Sequence, residues 1–529
     1  MKRILTITLF SLFTFFQIIE AKSTLDISLN NDEHWWGCLV SEGSKMPFGS
    51  TLISVKDMSK SNFQNQAQPL FLSDKGNYIW SNDPFAFSVD SNKIHIVSKT
   101  DNLKIVNAGS TLRDAFLEVS RRYFPADGTT PAKIMFTNPQ YNTWIELLYD
   151  ESQERVLNYA KSIKDNGFPD GVLMIDDNWE VCYGDFNFKK DKFPDPKHMV
   201  NQLHNMGFKV MLWISPFVTA DTQIYRELSK REYLLKSKDT KTPIIIPWWN
   251  GYSAMFDLTN PKAFSYLKDE LFRLKKATGI DGYKLDAGDI EFYNYNSLAY
   301  DSEATAPDQS EKWVDLGRNF KYNEFRACWK NGGKGIAQRL CDKAYSWEAI
   351  QCLIPDMLAS GLLGHAFTCP DMIGGGSYTT FENINQDSFD QTLIVRSAQV
   401  HAMMPMMQFS VAPWRILSKE NLENCIAAAQ LHLKMGKYIW KLARHASKTG
   451  EPIVRHMEYV FPHQGFAECK DQFMLGNDYL VAPVVTISNI RTIKLPEGTW
   501  IDDLGKKFVG PTSFTINVPL NRLPYYKKM

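Results

Sequence analysis

The stretch Lys284-Leu285-Asp286-Ala287-Gly288-Asp289 puts a carboxylate directly after Gly279-Ile280-Asp281-Gly282-Tyr283, a run with the pattern of a buried strand. An acid in that place has two uses. It caps a following helix, or, at the lip of a barrel, it stands where a carboxylate can attack an electrophilic carbon, as the nucleophiles of sugar hydrolysis do. Six residues alone do not choose between these uses, so the elements that must position Asp286 decide.

From about Thr111 the chain alternates strand-like and helix-like segments, for example a strand over Gly171 to Ile175, a helix over His198 to Met206 and a strand over Phe208 to Ile214. Such units repeated over roughly 300 residues predict an α/β chain built on a (β/α)8 TIM barrel, placed at 111–447. A doubly wound sheet is the alternative, but no G-x-G-x-x-G follows a first strand, and Gly374-Gly375-Gly376 lacks the helix a phosphate cradle needs. Short β-rich runs such as Thr51 to Val55 and Lys93 to Val97, broken by Asn, Ser, Asp and Gly turns, predict an N-terminal β-sandwich over 22–110. A long helix from about Glu420 to about Ala446 ends the barrel. Short strands then return, including Tyr479 to Val485 and Leu495 to Trp500, predicting a small C-terminal β-domain over 448–529.

Composition narrows the partners. The 529 residues are 44% hydrophobic and 13% aromatic, enough for a large core and several domains. Lys plus Arg and Asp plus Glu number 59 each, and no contiguous basic run reads as a phosphate-binding stripe, so nucleic acid is not an expected partner. Many aromatic rings in a neutral chain suit a neutral, stackable ligand such as a sugar, although most of those rings serve the core. Met1-Lys2-Arg3 followed by the apolar stretch Ile4 to Ile19 and by Ala21 reads as a signal peptide over 1–21, with an uncleaved signal anchor as the alternative. The expected location is therefore the outside of the cell or the lumen of the secretory pathway, with a membrane contact only if that segment stays attached. Eight scattered cysteines contain no C-x-x-C pair for zinc and leave room for one to three bridges. No His cluster suggests a metal, and no cofactor is expected.

Several segments together resemble glycoside hydrolase family 31. They are Gly184-Asp185-Phe186 through Phe193-Pro194-Asp195-Pro196, Met206-Gly207-Phe208 through Trp213-Ile214-Ser215-Pro216, Lys284-Leu285-Asp286, Pro370-Asp371-Met372-Ile373-Gly374-Gly375, and Gln472 to Asp478 running into Val481-Ala482-Pro483. The resemblance covers about residue 130 to the end. It implies that Asp286 is the nucleophile of a retaining hydrolysis, which needs a second carboxyl group about 5 to 5.5 Å away as acid and base. The family sets that acid five residues before an aromatic that opens a helix, and Asp342 stands five before Trp347; an Arg sixteen residues upstream is matched by Arg326. By the same resemblance Asp176, Trp213, Lys284, Arg326 and Asp371 touch or frame the sugar, whereas Asp177 is read as a cap.

Two departures bear on the substrate. Gln408-Phe409-Ser410 replaces a segment whose His touches the sugar in many α-glucosidases, which puts Ser410 in the substrate set, and Arg339 replaces a common Trp. Both features resemble the myogenesis-regulating glycosidase-like branch and favour an α-galactosidase-like preference for a terminal α-linked hexose over an α-glucosidase-like one. The substrate implied is an α-linked oligosaccharide or glycoconjugate. The mechanism implied has Asp286 ionised beside Lys284 and Asp342 protonated through a raised pKa, giving a bell-shaped pH profile with an acidic optimum. A silent family member that binds glycan or regulates without turnover is the alternative, and a lyase or transglycosylase would share the covalent intermediate.

Overall fold

The computed structural model describes residues 22–529 apart from 30, 31, 50, 101, 102, 383 and 385–388. The expected leader over 1–21 lies outside the described residues, and no helix among those described is long and apolar enough to cross a membrane. Eight parallel strands form the central sheet. They are β1 (Gln140–Asn142), β2 (Val172–Ile175), β3 (Lys209–Ile214), β4 (Gly282–Leu285), β5 (Tyr322–Phe325), β6 (Gln338–Arg339), β7 (Thr368–Cys369) and β8 (Gln408–Phe409). Strands β1 to β7 pair in chain order, β8 pairs with β1, and an Ile373–Phe409 bridge brings the two edges together, so the sheet is a nearly closed barrel and not a doubly wound layer.

The sequences of the barrel strands fit this role. Val172 to Ile175 and Val210 to Ile214 are buried on both faces, as expected for parallel strands lined inside by barrel core and outside by helices. At Gly282 a Cβ would meet the Tyr322 carbonyl oxygen at 1.9 Å, so close approach of β4 to β5 requires glycine. The parallel register sets Trp213 beside Lys284 and Lys284 beside Glu324, which brings charged and aromatic groups of three strands to one level of the barrel.

Two antiparallel sheets precede the barrel. One orders Ser23–Ser28, Lys93–Ser98, Ala86–Val89 and Ile53–Asp57; the other orders Trp35–Leu39, Gln66–Ser73, Asn77–Trp80 and Val106–Asn107. Phe71 of the second sheet meets Phe87 of the first at 5.5 Å, edge to face, inside the sandwich. The barrel adds a strand to this unit, because Cys328–Trp329, just after β5, pairs in parallel with Gln66 and Ala67. After β8 a helix spans Lys419–Thr449, opened by the Ser418 side chain accepting from the Asn421 amide and closed by Gly450 at φ 76°. A six-stranded sheet completes the chain. All eight cysteines are free thiols, so none of the possible bridges forms.

Candidate active site

The acids of interest leave the C-terminal ends of the barrel strands: Asp176 follows β2, Asp286 follows β4 and Asp342 follows β6, while Arg326 follows β5. That is the end at which a TIM barrel gathers its chemistry. They line a cavity of about 260 Å³ together with Trp213 and Lys284. The cavity thus collects six of the residues singled out from the sequence.

Asp286 is held on every side. Its Oδ2 accepts from Trp213 Nε1 at 2.8 Å, its Oδ1 accepts from the Ala287 amide at 3.0 Å, and Arg326 Nε lies 2.9 Å from Oδ1. Burial pushes this carboxyl up, but Arg326, Lys284 and Arg339 outweigh it and bring it down to about 2. Ala287 adopts φ 55°, a left-handed conformation unusual for a residue with a Cβ, at the point where the chain turns out of β4. Arg326 also pairs with the fully buried Asp289, whose carboxyl is pushed up to about 7 by burial despite that partner.

Lys284 reaches sideways to Asp176. Its Nζ lies 2.7 Å from Asp176 Oδ2, both side chains are buried, and the Asp177 amide donates to Asp176 Oδ1 at 3.0 Å. Burial pulls the lysine down, but Asp176, Asp286 and Glu324 together outweigh it and the net direction is up, so the ammonium stays charged. Asp177 departs from its reading as a cap: its Oδ2 accepts from Asn250 Nδ2 at 2.6 Å and Tyr183 OH at 3.0 Å, and it lines the cavity. Burial, with the charge of Asp176, pushes its carboxyl up to about 6.

Asp342 sits in a different setting. Its side chain is 49% exposed, and Arg339 Nη1 donates to its Oδ1 at 2.7 Å. The expectation of a raised pKa is corrected here: desolvation pushes the carboxyl up, but Arg339 and Lys284 outweigh it and hold it below the usual carboxylate range. The same guanidinium reaches Asp371 Oδ1 at 3.1 Å and Glu324 Oε1 at 3.4 Å. Asp371 is pushed up to about 7 by burial and by the neighbouring charge of Asp342. A Cβ at Gly376 would meet Asp342 Oδ2 at 2.1 Å, so any larger residue there would push that carboxylate aside.

Two expected substrate residues stand behind the wall. Asp371 is buried, accepts from the Lys343 amide at 2.7 Å and anchors the turn that carries Asp342. Ser410 is fully buried, and its hydroxyl donates to the Gly375 carbonyl at 2.7 Å, so it braces the glycine turn and does not face a sugar. Conversely, Trp144, Trp249 and Gln64 complete the cavity without having been singled out. Trp144 donates from Nε1 to the Gly376 carbonyl at 2.8 Å, and Trp249 lies 4.9 Å from the Arg326 guanidinium, face on. Gln64 belongs to the sandwich. Nearby, Gln66 Nε2 donates to the Arg326 and Arg339 carbonyls at 2.9 and 3.1 Å, which ties the N-terminal unit to both arginines of the site.

Comparison with known proteins places this geometry. Residues 135–442 match the glycosyl hydrolases family 31 TIM-barrel domain and residues 450–529 the family 31 C-terminal domain. The chain is 31% identical over 412 residues to the myogenesis-regulating glycosidase of Mus musculus, covering 76% of this chain and 57% of that protein. It is 24% identical to the alpha-xylosidase XylQ of Lactiplantibacillus pentosus, covering 82% of this chain and 59% of the relative. The chain therefore spans less than two thirds of the length of these relatives. A family 31 dextranase of Flavobacterium johnsoniae, solved with glucose, superposes with a TM-score of 0.82 at 21% identity over 96% of this chain and 66% of its own, which is a likeness of fold.

Proposed function

The chain belongs to glycoside hydrolase family 31, and on that premise we propose that it is a retaining, exo-acting α-glycosidase that removes a terminal α-linked hexose. The observation that carries the reading is the pair Asp286 and Asp342 on the wall of one cavity, the first fixed and ionised, the second half-exposed beside a shared cation. Asp286 attacks the anomeric carbon while Asp342 gives its proton to the departing glycosidic oxygen, and a covalent β-glycosyl aspartate forms. Asp342 then takes a proton from water as the water attacks the same carbon, which frees Asp286 and the α-sugar. Trp213, Arg326 and the Ala287 amide hold the attacking carboxylate in one orientation, and Arg326 also keeps it ionised.

Asp342 and Asp371 share the Arg339 guanidinium, and such a coupled pair loses its protons in steps that belong to the pair. With Asp371 pushed up to about 7, the pair carries a proton through the mildly acidic range in which Asp286 is ionised. The preference for an α-galactoside over an α-glucoside rests on the Arg339 and Gln408-Phe409-Ser410 features alone. Ser410 would act on it only through the turn it braces.

The test is hydrolysis of aryl α-galactoside, α-glucoside and α-xyloside by the full chain, with Asp286→Asn in parallel. Galactoside turnover that disappears in the variant is the expected result. Glucoside or xyloside turnover keeps the mechanism and discards the galactose preference. Sugar binding without turnover in both proteins replaces the enzyme by a glycan-binding member of the family.

A further inference from the structure

Away from the catalytic mouth, the helix Lys419–Thr449 carries Lys434, Lys437, Lys441, Arg444 and Lys448. Steps of three and four residues stack these five cations on one helical face, a stripe about 21 Å long at 1.5 Å per residue. All five are exposed, no Asp or Glu occurs between Glu423 and Glu451, and among the described residues none of the five forms an ion pair. The helix dipole accounts for Lys448, in the last turn, but not for the four cations that precede it. In a chain with formal charge zero this is a local concentration of positive charge.

The stripe lies in a groove, not on a plain surface. Gly436 lacks the Cβ that would meet the Thr137 carbonyl oxygen at 2.7 Å, so the turn Ile134–Thr137 lies against the helix and adds the exposed Lys133 to the groove. Phe136 of that turn packs on Trp440 at 5.7 Å. On the C-terminal domain's side Tyr438 and Tyr479 meet edge to face at 5.1 Å. The result is an open groove of about 980 Å³ whose lining combines cations with the rings of Trp440, Tyr438 and Tyr479, with Asp478 beside Tyr438 at its edge. Lys133 precedes β1 and the acids follow their strands, so this groove and the catalytic cavity lie toward opposite ends of the barrel and share no lining residue.

We infer that this groove binds an anionic polysaccharide, one bearing sulfate, phosphate or carboxylate groups along the chain. The regular cations match a repeating charge, and the aromatic rings offer stacking faces to the sugar rings between the charges. A concave floor fits a chain better than a bilayer. The ring of Trp440 is half-buried against Phe136, so it does not project to insert among lipids.

The experiment measures binding of dextran sulfate and neutral dextran to the full chain at several salt concentrations. The variant is Lys434→Gln with Lys437→Gln and Lys441→Gln, and the control replaces the exposed Lys262, Lys276 and Lys507 by Gln. Dextran sulfate should bind and weaken with salt, neutral dextran should not bind, and the stripe variant should lose about tenfold or more in affinity. Its turnover of an aryl glycoside should match that of the unaltered chain, which shows that it is folded. Absence of dextran sulfate binding, or an equal loss in the control variant, overturns the inference. So does binding to phosphatidylserine vesicles with none to dextran sulfate, which would make the stripe a membrane contact.

Discussion

On the β4 side of the cavity Asp286 has an indole N–H, its neighbour's amide and a guanidinium within 3.0 Å, and its side chain is only 13% exposed. On the β6 side Asp342 has one such partner, Arg339, and is 49% exposed. The first carboxylate has its geometry fixed by these three groups and its charge by Arg326, Lys284 and Arg339. The second is reached by water and holds a cation whose charge is divided among Glu324, Asp342 and Asp371. A nucleophile has to be ionised and aimed before substrate arrives, whereas an acid and base has to change its protonation twice in each cycle. The unequal support of the two acids follows that division of labour.

Replacing the two acids in turn tests the division most severely. Asp286→Asn should lower turnover on the order of 10⁴-fold or more on every substrate, because Asp176 is engaged by Lys284, Asp177 by Asn250 and Tyr183, and Asp342 serves as the acid. Asp342→Asn should cost about 10² to 10⁴-fold on a glycoside with a sugar or alkyl leaving group, and distinctly less on an aryl glycoside whose leaving oxygen needs little protonation. Kinetics on paired aryl and alkyl substrates separates the two roles. Equal losses on both classes for Asp342→Asn would remove it from the acid position.

Much of this arrangement was legible in the sequence, and the reasons differ residue by residue. Asp286 could be read because its strand and motif are contiguous, and Asp342 because its spacing to Trp347 and Arg326 is intact across a divergent stretch. Trp249 and Gln64 could not be read, since one lies in the excursion after β3 and the other enters from the sandwich. Their place in the cavity depends on long-range packing with no local pattern. Ser410 was misplaced for a related reason: sequence shows that a residue follows β8, but not that its hydroxyl turns back to the Gly375 carbonyl. The basic stripe does not show as a run, because its cations stand three and four residues apart and come together only on one face of the folded helix. The barrel was the easiest part, since alternation of buried strands and amphipathic helices repeats enough to survive local ambiguity.

The shared cation makes a prediction about pH. In the free protein kcat/KM should need Asp286 ionised and one proton on the Asp342 and Asp371 pair, which sets an acid limb near pH 2 and an alkaline limb near pH 7. Asp371→Asn is neutral at every pH and removes the pair's upper step. What remains is Asp342, which Arg339 holds below the usual range, so the alkaline limb should move to lower pH while activity at the acid end is largely kept. The profile of kcat/KM against pH measures this directly. An unmoved limb would show that Asp371 only anchors its turn.

The smallest expected effect concerns the rim of the fixed side. Trp249 is half-exposed and stacks on Arg326, the residue that also pairs with Asp286, so its loss should be felt first in sugar binding and only weakly in the attack. An exposed cation–π contact contributes about 0.5 to 1 kcal/mol, so Trp249→Ala should raise KM about two- to fivefold with kcat nearly unchanged, and Trp249→Phe should recover most of that. Trp213→Phe offers the contrast, because it keeps a ring but removes the N–H that Asp286 accepts, and it should lower kcat. If Trp249→Ala lowered kcat as Trp213→Phe does, the support of Asp286 would extend from the cavity floor to its rim. The boundary between the aiming groups and the sugar-binding groups would then have to be drawn one residue further out.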